Sequence, residues 1–528
     1  MPIREKAQIQ RHWELLEEPG PDNPWCEVLD EFTDDPDEFQ ERHYNEFTTF
    51  LPFVQRFLYG EGRKRRTRPP AGEDPGASPM RVFRRADVTA VRLTACPGDA
   101  PLTLSVAHVD LYFFFDIDVV LLNVEVAGDD LSLYQAEDTM YRFARAYPAG
   151  WEDSGQGLHC MHRVEWLGSG GEVLATSDAG QREKFLSFVA QHRAPRISSH
   201  WSYLLKPLVL NHSEEAGPIR YRLLEYYRMP LMAYLAMDDP QALTRNDFIR
   251  LGLVTEAGTS EPLPYSDRHL ADFEERYCYD RFWDDRPGGR NTRYLCSGHA
   301  MVVVGDARST QFVGRERGVL AQFRHQHFLI FLIAHFQKAA LLMFADRLVE
   351  ALKKLDIGDA ESVKRFKRAI RQQFEIFLRF THRYWFHDVA DQALAKALFR
   401  LCARHLGLDP LYAEVREWIH DMDEYLDSDS LRRQANTVIR LTVVTTFGLI
   451  GTIVTGFLGM NLIAAADQPF IVKVGYFALI LVPVVFLTLY TIVKSKALSD
   501  FLEVLSDERT NTAAKFRSLL AVWRRPGH

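Results

Sequence analysis

Residues 441–461 read LTVVTTFGLIGTIVTGFLGMN, and the reading of this stretch decides the rest. From Leu441 through Leu458 it carries no charge. About 20 apolar residues, at 1.5 Å of rise each, cross the hydrocarbon core of a bilayer, so the spacing predicts a membrane helix. The stretch is not uniformly apolar. Gly448, Thr452 and Gly456 recur four residues apart, and Gly451, Thr455 and Gly459 form a second row of small side chains. Such rows let helix backbones approach closely in lipid. Thr442, Thr445 and Thr446 add hydroxyls. A lipid-facing anchor needs neither feature, whereas a helix packed around a wet axis uses both.

The stretch closes on Gly459-Met460-Asn461, and a second uncharged run, Val474 to Val493, follows a short connection. Taken alone, Gly and Asn are ordinary helix-stop residues. Placed at the end of the first of two C-terminal apolar runs in a long chain, the tripeptide resembles the motif of the CorA-type magnesium and divalent-cation channel family. The resemblance covers about residues 430–496; upstream it rests on architecture alone. It implies a pentamer of integral, multi-pass subunits in a bacterial inner membrane. It also implies an ion filter at Gly459, Met460 and Asn461, and a long cytosolic stalk continuous with the pore-lining helix. Leu458 stands where the family commonly carries an aromatic residue, and Asp467 is the one acid of the connection.

Composition sets the frame. The chain has 528 residues, 47% of them hydrophobic and 25% charged, as in ordinary globular protein. A net charge of −8 argues against nucleic acid as a partner. The six cysteines are scattered without a CxxC pair, which suits a reducing compartment and gives no zinc pattern. The N-terminus has no apolar core of a signal peptide, so the part before the first span is expected in the cytosol. Arg432, Arg433 and Arg440 precede the first span and Lys494 and Lys496 follow the second, whereas the connection has Lys473 alone. The positive-inside bias puts both termini in the cytosol and the connection 462–473 outside.

Four regions are expected: a cytosolic α/β or α+β domain over 1–305, a helical bundle and stalk over 306–437, two membrane helices within 438–493 (about 438–459 and 474–493), and an amphipathic tail over 494–528. Residues 1–60 read as short surface helices. Residues 60–80 form a Gly- and Pro-rich loop carrying Arg63, Lys64, Arg65, Arg66 and Arg68, read as solvated. Strands are expected at Val88–Leu93, Leu102–Val106, Val164–Leu167, Val173–Ala175 and Ala300–Val304. The aromatic and β-branched run Leu111–Val126 predicts two strands with a bend near Asp116–Asp118. Helices are expected at Leu133–Ala146 and near 180–192. Phe323–Leu348 is strongly apolar but interrupted by His327, His335, Gln337 and Lys338, which predicts a buried bundle helix, not a membrane span. Glu361–Arg404 reads as one long helix or a pair, and from Tyr412 no breaker occurs before Gly448.

Two helices cannot enclose a pore, so conduction requires a ring of copies. Working back from Asn461, one helix face presents Gly456, Thr452, Leu449, Thr445, Leu441 or Thr442, and Val438. Threonine rings offer neutral oxygens, and leucine rings narrow the path. Mg²⁺ dehydrates reluctantly and keeps several waters, so oxygen acceptors at the distance of its hydration shell suit it better than a carboxylate cage. Mg²⁺ is therefore the expected cargo, with Co²⁺ and Ni²⁺ as further candidates. Glu414, Glu417, Asp421 and Glu424 share one face of the stalk; carboxylates fit a hard cation, and the resemblance implies a regulatory Mg²⁺ site between neighbouring subunits. A solvated helix face accounts for the same four residues.

No P-loop, G-x-S-x-G or H-E-x-x-H supports an enzyme. His159-Cys160-Met161-His162 and the group Cys278, Cys296 and His299 hold metal-ligating side chains, although isolated His and Cys more often serve a core. The alternatives to a magnesium channel are a zinc transporter of the same superfamily and a non-conducting membrane-anchored sensor or scaffold.

Overall fold

The long run at 102–126 organises the β-rich N-terminal region. The computed structural model describes residues 3–4, 16, 23–28, 41–60, 78–114, 117–211, 213–214, 217, 219–224, 227–258, 263–286, 290–356, 359–459 and 467–493. Seven strands form one antiparallel sheet: β1 (Trp25–Glu27), β2 (Met80–Arg85), β3 (Ala90–Thr94), β4 (Leu102–Phe114), β5 (Ile117–Ala127), β6 (Arg163–Leu167) and β7 (Val173–Thr176). Their order is β1-β2-β4-β3-β6-β7, with β5 along the other edge of β4. The stretches expected as separate strands at 102 and 111 fuse into one, because β4 serves three neighbours. Its first part pairs with β3 (Leu102 opposite Leu93), its last with β2 (Phe114 opposite Met80), and its far edge with β5 (Tyr112 opposite Leu121). β4 ends at Phe114 and β5 begins at Ile117, so Asp118 lies within β5, and Asp116 of the expected bend lies outside the described residues.

One face of this sheet is closed by aromatic residues. Phe83, Val91, Val109, Leu111, Val120 and Trp166 are fully buried beneath Trp201, Leu204 and Tyr221. Buried indoles need an acceptor for their N–H. Trp25 Nε1 donates to the Lys206 carbonyl at 2.6 Å, Trp166 to that of His200 at 2.9 Å, and Trp201 to that of Arg145 at 2.8 Å. A second, mixed sheet has the order β8-β11-β10-β9, from β8 (Leu231–Met237), β9 (Cys278–Tyr279), β10 (Arg293–Cys296) and β11 (Ala300–Asp306). β8 and β11 run parallel, and Ala300–Val304 are all buried, as a central strand covered on both faces requires.

Five helices are interspersed with the strands along this chain region: α1 (Glu41–Thr49), α2 (Pro52–Tyr59), α3 (Leu133–Arg142), α4 (Arg182–His192) and α5 (Arg245–Leu253), the last packing on β11. α2 is less superficial than expected, since Val54, Phe57 and Leu58 are buried. Three longer helices follow: α6 (Phe328–Lys353), α7 (Ala360–Arg383) and α8 (Ala393–Leu406). The π-helical turn Phe323–His327 leads directly into α6. α6 lies against β5, α7 and α8. Phe336 stacks on Phe114 at 4.0 Å, and Phe344 meets Phe377 edge-on at 5.4 Å. Gln337, fully buried, donates to the carbonyls of Tyr384 at 3.0 Å and Phe386 at 3.3 Å. α6 is the buried helix that its interrupting polar residues indicate.

The expected stretch 361–404 resolves into the pair α7 and α8. α8 stops at Gly407, whose φ of 65° is a left-handed conformation that glycine adopts without strain. α9 (Leu408–Gly459) then runs for 52 residues, and α10 (Phe470–Val493) for 24, with Pro483 inside it. The chain divides into two compact units, Met1–Ile419 and His420–His528. The first is a mixed α/β unit with a β-rich N-terminal region and helices. The basic loop 63–68, the tail 494–528, and Met460 and Asn461 lie outside the described residues.

Candidate ion path

Every proposed lining residue sits on α9. Valine, threonine and isoleucine are mediocre helix formers in water because their branched side chains lose rotamer freedom. In lipid, where backbone polar groups must be satisfied within the segment, the helix is the available solution. Here three threonine hydroxyls bond back to their own helix, which satisfies them at the cost of a slight bend. Thr442 Oγ1 donates to the Val438 carbonyl at 2.9 Å, Thr445 Oγ1 to that of Leu441 at 2.7 Å, and Thr452 Oγ1 to that of Gly448 at 2.9 Å. Each hydroxyl proton is thus used within the helix. The oxygen keeps lone pairs that a cation, or the water around it, can use.

Val438, Leu441, Thr445, Leu449, Thr452, Gly456 and Gly459 are all exposed within the single chain. Leu441 is 66% exposed and Leu449 60%, large values for leucine. Gly451 is on another face. A Cβ built there would lie 2.9 Å from Val484 Cγ1 of α10, whereas one at Gly448, Gly456 or Gly459 would meet nothing within 4 Å. The two small-residue rows therefore differ. The row through Gly451 includes the contact with α10, and the row through Gly448, Thr452 and Gly456 is bare. At 100° per residue, the bare stripe is centred roughly a third of a turn from Gly451. Gly459 is the last residue of α9. Of the expected filter it alone is described, with Met460 and Asn461 beyond it.

Glu414, Glu417, Asp421 and Glu424 are exposed on the same helix. Among the described residues, no three His, Cys, Asp or Glu side chains gather where they could hold a metal ion. The four carboxylates form no within-chain site, and neither do the two His and Cys groups. Cys160 and Cys296 are buried, and Cys296 hydrogen-bonds to the buried Cys402. The sequence gives no hint of that thiol pair, because Cys402 lies on α8 and Cys296 on β10.

Length and hydropathy single out a different helix. Among the described residues, Val319–Lys353 is the one stretch long and apolar enough to cross a membrane, and 72% of its apolar window is buried inside the fold. Of the two expected spans, the same criteria return only the shorter apolar helix Phe470–Phe486. No protein-family model matches the chain, and no curated protein or solved structure matches it either.

Proposed function

We propose that this chain is one subunit of an oligomeric membrane channel for divalent cations, of the CorA type, with α9 lining the ion path and α10 outside it. The observation that carries the reading is the bare apolar surface of the second unit. Val438, Leu441 and Leu449 on α9 and Phe470, Ile471, Leu479, Val482 and Phe486 on α10 are each 60% or more exposed. A soluble monomer rarely leaves so much contiguous apolar surface in water. Lipid on α10 and neighbouring copies along the α9 stripe would cover it. Both segments then serve as membrane spans, and the termini lie in the cytosol of a bacterial cell.

Mg²⁺ is the preferred cargo. The stripe offers threonine oxygens and no carboxylate, which suits an ion that moves with its water. Gly459, Met460 and Asn461 form the filter in this reading, and a homopentamer closes the ring. Glu414, Glu417, Asp421 and Glu424 hold a regulatory Mg²⁺ between subunits, and the helical stalk couples that site to the gate.

Mg²⁺ flux into proteoliposomes tests the reading, with wild type compared to Asn461→Ala and Zn²⁺ and Co²⁺ as competitors. Flux that is present in the wild type and lost in an assembled mutant is expected. A well-assembled wild type that passes no divalent cation at low internal Mg²⁺ would leave α9 and α10 as an anchor. Proton-dependent Zn²⁺ transport would mark a zinc transporter instead.

A further inference from the structure

We propose that the first unit contains a buried oxyanion site, built on Arg145 and Arg228, that accepts a phosphate group, either free or carried by a small metabolite. The proposal does not depend on the channel reading. Arg145 lies just beyond α3 and is 2% exposed. Its Nε donates to the Tyr141 carbonyl at 2.7 Å, yet neither Nη1 nor Nη2 has an acceptor. Leaving a charged donor buried and unpaired is among the more costly arrangements in a folded chain. Among the described residues, no carboxylate pairs with it. Glu256, the nearby acid, is exposed and held by Arg142 at 3.2 Å.

A second guanidinium is brought in instead. A β-bridge joins Arg145 to Arg228. Arg228 Nη1 donates to His299 Nε2 at 3.0 Å and Nη2 to the Val254 carbonyl at 3.1 Å, while its Nε is buried without a partner. The Arg228 donor fixes His299 as the tautomer protonated on Nδ1, which faces Ser297 Oγ at 3.5 Å. His159, at a left-handed φ of 64°, adds another buried nitrogen, Nδ1, with no partner. Burial and then Arg228 push His299 down to about 4, and burial followed by the same neighbour holds Arg145 down at about 10. The neighbouring guanidinium thus adds to the effect of burial at both groups.

The rings around Arg145 orient its fork. Its Cζ lies 4.9 Å from the Tyr141 ring centre and 5.1 Å from that of Tyr227, within cation–π distance of both. His159 packs on Tyr141 at 5.5 Å. A guanidinium whose plane is set in this way suits bidentate contact with an oxyanion. Two guanidiniums match the charge of a phosphate group near neutral pH, and its several oxygens can accept from both. Arg228, His159, Tyr227 and His299 are only half-buried, so the ligand enters from their side.

Isothermal titration of the full-length protein in detergent tests this, with inorganic phosphate and adenosine monophosphate as separate probes. Saturable binding to the wild type is expected. Arg145→Met, which also removes the unpaired buried charge, and Arg228→Gln should each weaken it by roughly tenfold or more. His159→Gln, at the entrance, gives a milder third variant. Phosphate binding as tight as the nucleotide assigns a free ion, and tighter nucleotide binding assigns a phosphorylated metabolite. A folded wild type that binds neither probe overturns the proposal, as does an affinity unchanged in both arginine variants; ordered water would then be what satisfies Arg145.

Discussion

Two of the helices that attract a membrane assignment, α6 and α10, have opposite surroundings. α6 is sealed inside the first unit: Ile330, Ile333, Phe336 and Phe344 are fully buried against sheet and helices. α10 leaves Ile471 83% and Leu479 70% exposed. Composition alone does not separate them, and by length and hydropathy the buried one ranks first. The polar residues do separate them. α6 carries His335 and Gln337, which reach the backbone carbonyls of Phe331, Tyr384 and Phe386. From Val474 to Val493 α10 has no comparable side chain beyond Thr488, Thr491 and two tyrosines. A helix bound for a protein core can include amides and imidazoles because neighbouring segments supply partners.

The contrast is broken most forcefully with a charge. Ile333→Lys should destabilise the first unit by about 4 kcal/mol or more, since an ammonium would be buried there without a partner. Urea unfolding followed by tryptophan fluorescence reads this directly. Leu479→Lys should leave that unfolding curve unchanged while opposing membrane insertion by about 3 kcal/mol. An Ile333→Lys protein as stable as the wild type would mean that α6 is not core.

Acid gives the next largest effect. Burial pushes His335 and His327 each down to about 4, and His200 to about 3. In the unfolded chain a histidine takes up its proton near pH 6.5. Stability is therefore full above pH 6.5 and is lost as pH falls toward 4. Complete shifts of this size correspond to about 3 kcal/mol for His335 and for His327 and about 5 kcal/mol for His200. Thermal unfolding of the wild type should show a steep decline between pH 6.5 and 4, and His335→Phe should flatten part of it. An identical pH profile in that variant would remove His335 as a source of the decline.

Much of this architecture was legible from local pattern. Strand pairs such as Val164–Leu167 with Val173–Ala175, the helix near 180–192, the burial of α6 and the unbroken course of α9 follow from alternation, helical spacing and breakers. What was not legible depends on distant partners. Nothing near 102–114 signals that three strands would share β4. Nothing near Arg145 signals Arg228, because an antiparallel bridge between remote segments brings them together. The proposed ion path stands between these cases. Its stripe follows from helical period and its exposure appears in the structure, whereas a ring needs copies that one chain does not contain. The division at Ile419 likewise differs from the boundaries drawn at 305 and 437, because sheets and bundle pack as one unit.

The two glycine rows sharpen the comparison within α9. Gly451→Leu would drive a side chain into Val484 and should destabilise the packing of α9 on α10 by about 1–3 kcal/mol. Gly448→Leu meets nothing in the single chain, so it should leave that packing intact and weaken the oligomer instead. Disulfide trapping between cysteines placed on α9 and α10 reads the first effect, and light scattering of the detergent-solubilised protein reads the second. A Gly448→Leu protein that assembles normally would move the subunit interface off the bare stripe.

Thr452→Val should cost the chain least and is correspondingly specific. Valine keeps the branched shape, so packing barely changes. The lost hydrogen bond joins Thr452 Oγ1 to a carbonyl four residues back in its own helix, an arrangement that bends helices slightly more than it supports them. Unfolding and assembly should therefore shift by no more than about 0.5 kcal/mol. What the substitution removes is the oxygen, and with it one ring of acceptors along the proposed path. Mg²⁺ flux should fall severalfold while the oligomer stays intact. Flux equal to wild type would mean that the ion does not pass Thr452, and the path would have to be sought on another face of α9.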